Sequence, residues 1–431
     1  MTMHSATLAI NESLQAKKAA GERVLHLGFG EAGLPVPESV ANVLAAAAPL
    51  NSYGAVVGST EAREAAAGWF SRRGPKTDAG QIIFAPGSKP LLFALLAILE
   101  GDLVLPCPAW VSYAAQARLV GKNVINVPIP EASGGIPDPT LLESSLQEAL
   151  TNGARPGILL LTVPDNPTGT VARPEQVQAV CAIARKYDLA VISDEIYAEV
   201  CHSSTAPSPL THIPERTVVT TGLSKSMALG GWRIGFARVP ENEWGRDVME
   251  RLVGVSSEVW SSLAAPMQAA AAHVLSDPPA VTEHIAKARV LHAAVATAVY
   301  EEFIAAGATC RRPEAGFYLY PDFEPVRDAL EAQNISTGAE LANALLERYG
   351  VGILPGAAFG DEESGLRARV ATSLLYGDTA EERWQSLNSS NPVELPWIAA
   401  SLQHLRAALQ DLVGGGTDSG TSGDGALTAV R

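Results

Sequence analysis

Cysteine is scarce in this chain of 431 residues, with four in all: Cys107, Cys181, Cys201 and Cys310. They are far apart, with no CxxC pair and no Cys/His group at zinc spacing, so a disulfide scaffold and a zinc module are both excluded as readings, and no metal site is expected. Four ordinary thiols point to a reducing compartment. Positive charge is also in deficit: 31 Lys and Arg stand against 46 Asp and Glu, a net charge of −15. A general binder of nucleic acid or of an anionic membrane is usually basic, so neither partner is expected. No apolar run is long enough to span a bilayer, and the N-terminus lacks the charged-then-apolar pattern of a signal peptide. The expectation is a cytoplasmic protein. No internal repeat is visible.

What the chain does have is apolar content, 47% of its residues, and the length for a large buried core. From residue 81 it alternates strand-like and helix-like stretches. Strands are expected at 81–87, 102–106, 123–129, 157–164, 189–197 and 216–224, with helices at 89–99 and 174–188. Near-continuous Val/Ile/Leu strands separated by helices indicate an α/β fold, a mostly parallel sheet covered on both faces in three layers. Asp277-Pro278-Pro279 then breaks the chain ahead of an Ala-rich helical stretch, 280–306. Shorter strands at 317–320, 351–354 and 367–372 and a last helix near 396–412 suggest a smaller α+β domain. The Gly/Ser/Thr-rich end, 414–431, reads as a disordered tail.

The chemistry-bearing residues fall at the ends of the expected strands, where open α/β sheets bind ligands. In TGLSKSMALGGWRIGF (221–236), Lys225 ends a buried strand, where a partly desolvated amine can form a Schiff base with a carbonyl. Most lysines are solvated, and only this position argues otherwise. Arg233 follows among apolar residues, where an unpaired guanidinium calls for an anion. Asp194, in SDEIYAEV, is by itself a cap or turn residue; as a buried carboxylate it suits a protonated ring nitrogen. Tyr197 lies three residues on. Asn166, in VPDNPTG, sits in a good turn sequence, and its amide can donate to a phenolate-like oxygen. Ser88 and Lys89 open a helix after a strand, a ready phosphate cradle. Trp110 is a core residue or a plate for a flat ring. Taken singly, each leans structural. Together they fit a flat, phosphorylated, pyridinium-type aldehyde, for which pyridoxal 5′-phosphate is the obvious candidate.

Over roughly residues 20–412 the chain resembles the fold-type I pyridoxal-phosphate-dependent aminotransferases of class I/II, the aspartate aminotransferase superfamily. The resemblance implies that Lys225 is the Schiff-base lysine and moves the substrate α-proton. It implies that Asp194 partners the pyridine nitrogen, that Asn166 and Tyr197 bond the ring 3-oxygen, and that Trp110 stacks on the ring. Ser88, Lys89 and Arg233 resemble the phosphate site. Tyr53, in NSYGAVVGS, resembles the tyrosine that reaches the phosphate of a neighbouring subunit, implying a homodimer with shared active sites. Gly30, in LHLGFGEAG, resembles the glycine lining the substrate pocket. Arg367, in GLRARVATS, resembles the arginine that binds the substrate α-carboxylate; Arg369, two residues on, is the neighbouring alternative. The implied domains are an N-terminal segment (1–45) joining the small domain, a large cofactor-binding domain (46–290), a small C-terminal domain (291–413) and the tail (414–431).

Three departures from the family pattern stand out. Gly222 replaces a phosphate-binding serine, with Thr221 or Ser224 as substitutes. Thr162 replaces an asparagine. An extra stretch, 377–397, precedes the last helix near the carboxylate arginine, where it could touch the pocket entrance. The implied reaction is transamination between an amino acid and a 2-oxo acid. The alternative is elimination, replacement or cyclisation from the same carbanion, on a substrate such as S-adenosylmethionine or a cysteine conjugate. A DNA-binding regulator with an aminotransferase-like domain is disfavoured, because the chain is acidic and the resemblance begins near residue 20.

Overall fold

The computed structural model of the protein describes residues 6–130, 133–203 and 205–414. Apart from Gly414, the tail expected at 414–431 lies outside the described residues.

Twelve strands form among the described residues: β1 (Leu25–His26), β2 (Ile82–Pro86), β3 (Asp102–Cys107), β4 (Val124–Pro128), β5 (Pro156–Thr162), β6 (Ala190–Asp194), β7 (Thr217–Gly222), β8 (Ile234–Arg238), β9 (Tyr318–Leu319), β10 (Val351–Gly352), β11 (Leu354–Pro355) and β12 (Ala368–Ala371). Seven make one sheet in the order β2-β8-β7-β6-β5-β3-β4. All its pairings are parallel except those of β8, which runs antiparallel to both β2 and β7. Six of these strands fall where the apolar runs place them. The seventh, β8, lies inside the motif that carries Lys225 and Arg233.

The sheet is the middle of three layers. Successive residues of a strand point to opposite faces, so one strand feeds two cores. Ile83 and Ala85 pack with the helices Ser88–Ile98 and Glu243–Val259. Ile82 and Phe84 pack on the other side with Thr60–Arg73 and Ala265–Leu275. Farther along that second face, Val104, Leu159, Leu161 and Val191 meet Pro139–Thr151 and Pro174–Lys186. Both faces are dry, which is why the strands read as unbroken apolar runs rather than alternating ones.

A separate core joins Leu25, Leu27 and Leu34 to residues of the C-terminal third. The small sheets β11-β12-β9 and β1-β10 lie there. The expected boundary at 290/291 falls inside one unbroken helix, Pro279–Ala305. Its Val281 and Ile285 belong to the core shared with β2 and β8, whereas Ala288, Leu291, Val295, Val299 and Phe303 belong to the second core. The chain therefore changes core along a helix face and not at a linker.

Candidate active site

The strand order places five chain ends on one sheet edge. Carboxyl ends of β2, β3, β5, β6 and β7 lead respectively to Ser88, Trp110, Asn166, Tyr197 and Lys225, and β6 itself ends on Asp194. Because β8 is antiparallel, its amino end lies at the same edge, and Arg233 immediately precedes it. A cavity of about 580 Å³ opens there, lined by all of these residues together with Lys89, Gly30 and Arg369.

Lys225 sits on the short helix Leu223–Ser226, and its Nζ donates to the carbonyl of Gly30 at 2.5 Å. Gly30 has to be glycine, since a Cβ there would lie 2.2 Å from the Tyr318 hydroxyl. Asp194 is buried, and its Oδ2 accepts from the Tyr113 hydroxyl at 2.8 Å. Tyr113 also shares a 2.9 Å hydrogen bond with Thr162, the residue that departs from the family pattern. Asp194 Oδ1 is buried with no hydrogen-bond partner among the described residues. Burial pushes the Asp194 carboxyl up to about 6, against the opposing pull of the Tyr113 hydroxyl. A buried acid with one bare oxygen is suited to a cationic N–H donor.

At the other pole the cavity is cationic. Gly87, with φ of 94°, turns the chain from β2 into the helix Ser88–Ile98 and leaves room for the Arg233 guanidinium, which a Cβ at Gly87 would approach to 2.2 Å. Arg233 donates to the Gly230 carbonyl at 2.9 Å, its one side-chain hydrogen bond among the described residues. Burial lowers the Lys89 pKa, and the nearby charges of Arg233 and Lys225 lower it further. Two cations, Lys89 and Arg233, beside a helix N-terminus fit a phosphate dianion. Ser224 lines the cavity, while Thr221 turns its hydroxyl to the Glu195 carbonyl at 3.4 Å. Of the two substitutes for the missing serine, only Ser224 is in place. Trp110 lies between these poles, with Lys89 Nζ 4.9 Å from its ring centre.

Asn166 Nδ2 donates to the Tyr197 hydroxyl at 3.3 Å, so this expected pair meets. Arg367, expected at the substrate carboxylate, does not line this cavity. Its Nε and Nη1 bond Asp322 at 3.0 Å and Asp361 at 2.5 Å, and it lines a different cavity of about 190 Å³. Two carboxylates already neutralise its charge. Arg369 takes the place in the main cavity. It is 1% exposed, is held by the Gly28 carbonyl at 2.7 Å and Asn166 Oδ1 at 3.4 Å, and is flanked by the rings of Tyr318 and Phe359 at 4.9 Å each. No carboxylate pairs with it among the described residues, and burial lowers its pKa. A buried guanidinium of this kind is costly without an anion. The two arginines lie two residues apart, Arg369 on β12 and Arg367 just before it, so spacing alone does not separate them.

Tyr53 does not line the cavity and is 95% exposed in the single chain. The extra stretch 377–397 forms the helix Ala380–Asn388 and a short turn before Pro396–Val413; it packs on the helix Pro279–Ala305, and none of it lines the main cavity. Tyr113 and Tyr318 are absent from the expected set. Tyr113 had a signal in its place, three residues after Trp110 in the first turn of the helix that follows β3. Tyr318 had none, because its approach depends on the second core.

Residues 22–374 match the family model described as aminotransferase class I and II. The chain is 30% identical to the aspartate aminotransferase of Geobacillus stearothermophilus, over 88% of this chain and 95% of that one. It is 32% identical to the aspartate/prephenate aminotransferase of Thermus thermophilus, over 86% and 92% respectively. The solved aspartate aminotransferase of Thermus thermophilus with maleate superposes with a TM-score of 0.77 at 28% identity, covering 90% of this chain and 97% of that one. Among the described residues no helix is long and apolar enough to cross a membrane. With its strand-end constellation and the similarity running along most of its length, the chain belongs to the aminotransferase class I and II family.

Proposed function

We propose that the protein binds pyridoxal 5′-phosphate in this cavity and transfers an amino group between an α-amino acid and a 2-oxo acid. The observation that carries the reading is the bare, buried Oδ1 of Asp194 in the same cavity as the Lys225 amine. When bound, the cofactor supplies an aldehyde for amines and a ring that takes up the electrons of the broken Cα–H bond.

The chain's own residues do the rest. Asp194 Oδ1 accepts the ring N–H, and Tyr113 holds the carboxylate from behind. Asn166 and Tyr197 donate to the ring oxygen. Ser88, Ser224, Lys89 and Arg233 hold the phosphate, and Trp110 covers the ring face. Arg369 binds the substrate α-carboxylate in place of Arg367, with the planar guanidinium supplying two parallel donors. Once the substrate amine displaces it, Lys225 is a free base beside the α-carbon. Its Nζ would take up and hold the substrate α-proton as general base. Tyr53 reaches the phosphate of a second copy, so that two chains complete each other's sites in a homodimer.

The test is spectroscopic. Pyridoxal phosphate added to the purified chain gives a near-visible band that Lys225→Ala abolishes. An amino donor added without acceptor then converts the band to that of the pyridoxamine form with one equivalent of 2-oxo acid; aspartate, the donor named in the relatives, is tried first. A band unchanged by Lys225→Ala refutes the lysine assignment. Turnover without 2-oxo acid refutes transamination.

A further inference from the structure

Tyr318 lies outside every motif in the sequence, yet it touches three parts of the site. It comes from β9, which pairs with β12 so that Tyr318 stands opposite Ala371. Arg369, two residues before Ala371, projects from the same face of β12, and its guanidinium lies 4.9 Å from the Tyr318 ring centre. The Tyr318 hydroxyl lies 2.9 Å from that of Tyr197. The same oxygen is the atom that forbids a side chain at Gly30, whose carbonyl holds Lys225. Tyr318 and Tyr197 are 1% and 3% exposed, so both hydroxyls are largely buried against one another.

Counting donors and acceptors gives Tyr318 a direction. A phenol has one proton to donate and lone pairs with which to accept. Tyr197 already accepts from Asn166 Nδ2. If its proton goes to a bound anionic oxygen, its 2.9 Å contact with Tyr318 is satisfied only with Tyr318 as donor. Asn166 in turn accepts from Arg369, which closes a buried ring of four side chains: Arg369, Asn166, Tyr197 and Tyr318. The charged and titratable groups facing the tyrosine pair are Arg369 from β12, Lys225 from the helix after β7, and Tyr113 from the helix Ser112–Leu119.

We propose that Tyr318 is a positioning residue that donates its hydroxyl proton to Tyr197, thereby committing the Tyr197 proton to the cofactor's ring oxygen. It acts through Tyr197 and does not touch the reacting atoms. Hydrogen bonds in a dry chain polarise one another, so a donor behind Tyr197 makes Tyr197 a better donor in front. The ring oxygen is then held as an anion, and the lysine-bound cofactor gives up its proton more readily. The proposal rests on the cofactor reading above.

The test is an absorbance titration of the cofactor-loaded enzyme with pH, which reads the proton equilibrium of the lysine-bound cofactor without turnover. Tyr318→Phe keeps the ring against Arg369 and removes only the hydroxyl. It is expected to shift that equilibrium roughly threefold to tenfold toward the protonated form, the worth of one buried hydrogen bond. KM for amino and 2-oxo acid stays within about twofold, because the Arg369 contact survives. Tyr197→Phe shifts the equilibrium in the same direction, and adding Tyr318→Phe to it changes nothing more, since the route runs through one hydroxyl. An unchanged titration in Tyr318→Phe overturns the proposal while leaving the cofactor reading intact, as does a lower melting temperature with no spectral change. An additive shift in the double variant overturns the route through Tyr197. A wild-type protein that forms no band overturns the cofactor reading and this proposal with it.

Discussion

Arg367 and Arg369 are the same residue type two positions apart, one just before β12 and one on it, and their surroundings differ. Asp322 and Asp361 hold Arg367, whereas Arg369 faces the cavity with neutral partners only. Arg369→Ala should therefore raise KM for both amino acid and 2-oxo acid on the order of 100-fold, the cost of leaving a charged partner unpaired. Arg369→Lys should recover little of it, because a point charge does not replace a planar fork. Steady-state kinetics on Arg367→Ala should show a change of only a few fold; a larger effect there than at Arg369 would reverse the assignment. Asp194 makes a second prediction at this scale. Its carboxyl titrates at about 6 in the folded chain against an ordinary 3.8. Without cofactor, the folded state thus holds a proton that the unfolded state releases, and stability falls as pH rises through about 4 to 6. Asp194→Asn removes this ionisation. The cofactor-free variant should be more stable than the wild type by on the order of 2 kcal/mol at pH 8, with the gap closing near pH 4. Denaturant unfolding at both pH values checks this, and a gap independent of pH would contradict it.

At the scale of elements, the phosphate cradle depends on how closely β2 and β8 approach. Gly235 stands opposite Ala85, and a Cβ on it would lie 2.2 Å from the Gly87 carbonyl carbon and 2.3 Å from the Ser88 nitrogen. Those contacts are backbone, which does not swing aside as a flexible side chain does. Gly235→Ala should push the start of the helix Ser88–Ile98 away from Arg233. Overpacking of this kind costs about 1–3 kcal/mol. Pyridoxal phosphate affinity, read by absorbance, should fall at least roughly tenfold as the amide and guanidinium lose their common focus. Unchanged affinity in a destabilised variant would show that the cradle tolerates the displacement.

For the whole molecule, the outstanding feature is an almost fully exposed tyrosine. Tyr53 is 95% exposed and Leu50, three residues earlier, is 52% exposed. If the site is completed by a second copy, sedimentation at micromolar concentration should give twice the chain mass. Tyr53→Phe should weaken cofactor binding several fold and leave chain stability within about 0.5 kcal/mol, as surface substitutions usually do. A monomer with full cofactor affinity would refute the shared site.

Much of the site was legible because its residues follow strands that announce themselves. A strand dry on both faces is a continuous apolar run, and the residue that ends it is read directly: Asp194 after AVIS, Lys225 after TVVTTGLS, Asn166 after ILLLTVPD. Sequence neighbours fix these positions, so the parallel sheet and the residues at its strand ends were determined locally. What needed the folded chain were choices made across it. β8 resembles its neighbours in composition, and only pairing reveals that it runs the other way and brings Arg233 to the shared edge. Arg369 was separated from Arg367 by Asp322 and Asp361, carboxylates 45 and 6 residues away from the arginine they neutralise. Tyr318 met Tyr197 across 121 residues. Local pattern determines which face of an element is buried; which charges neutralise one another, and which hydroxyls meet, is decided only when distant elements pack.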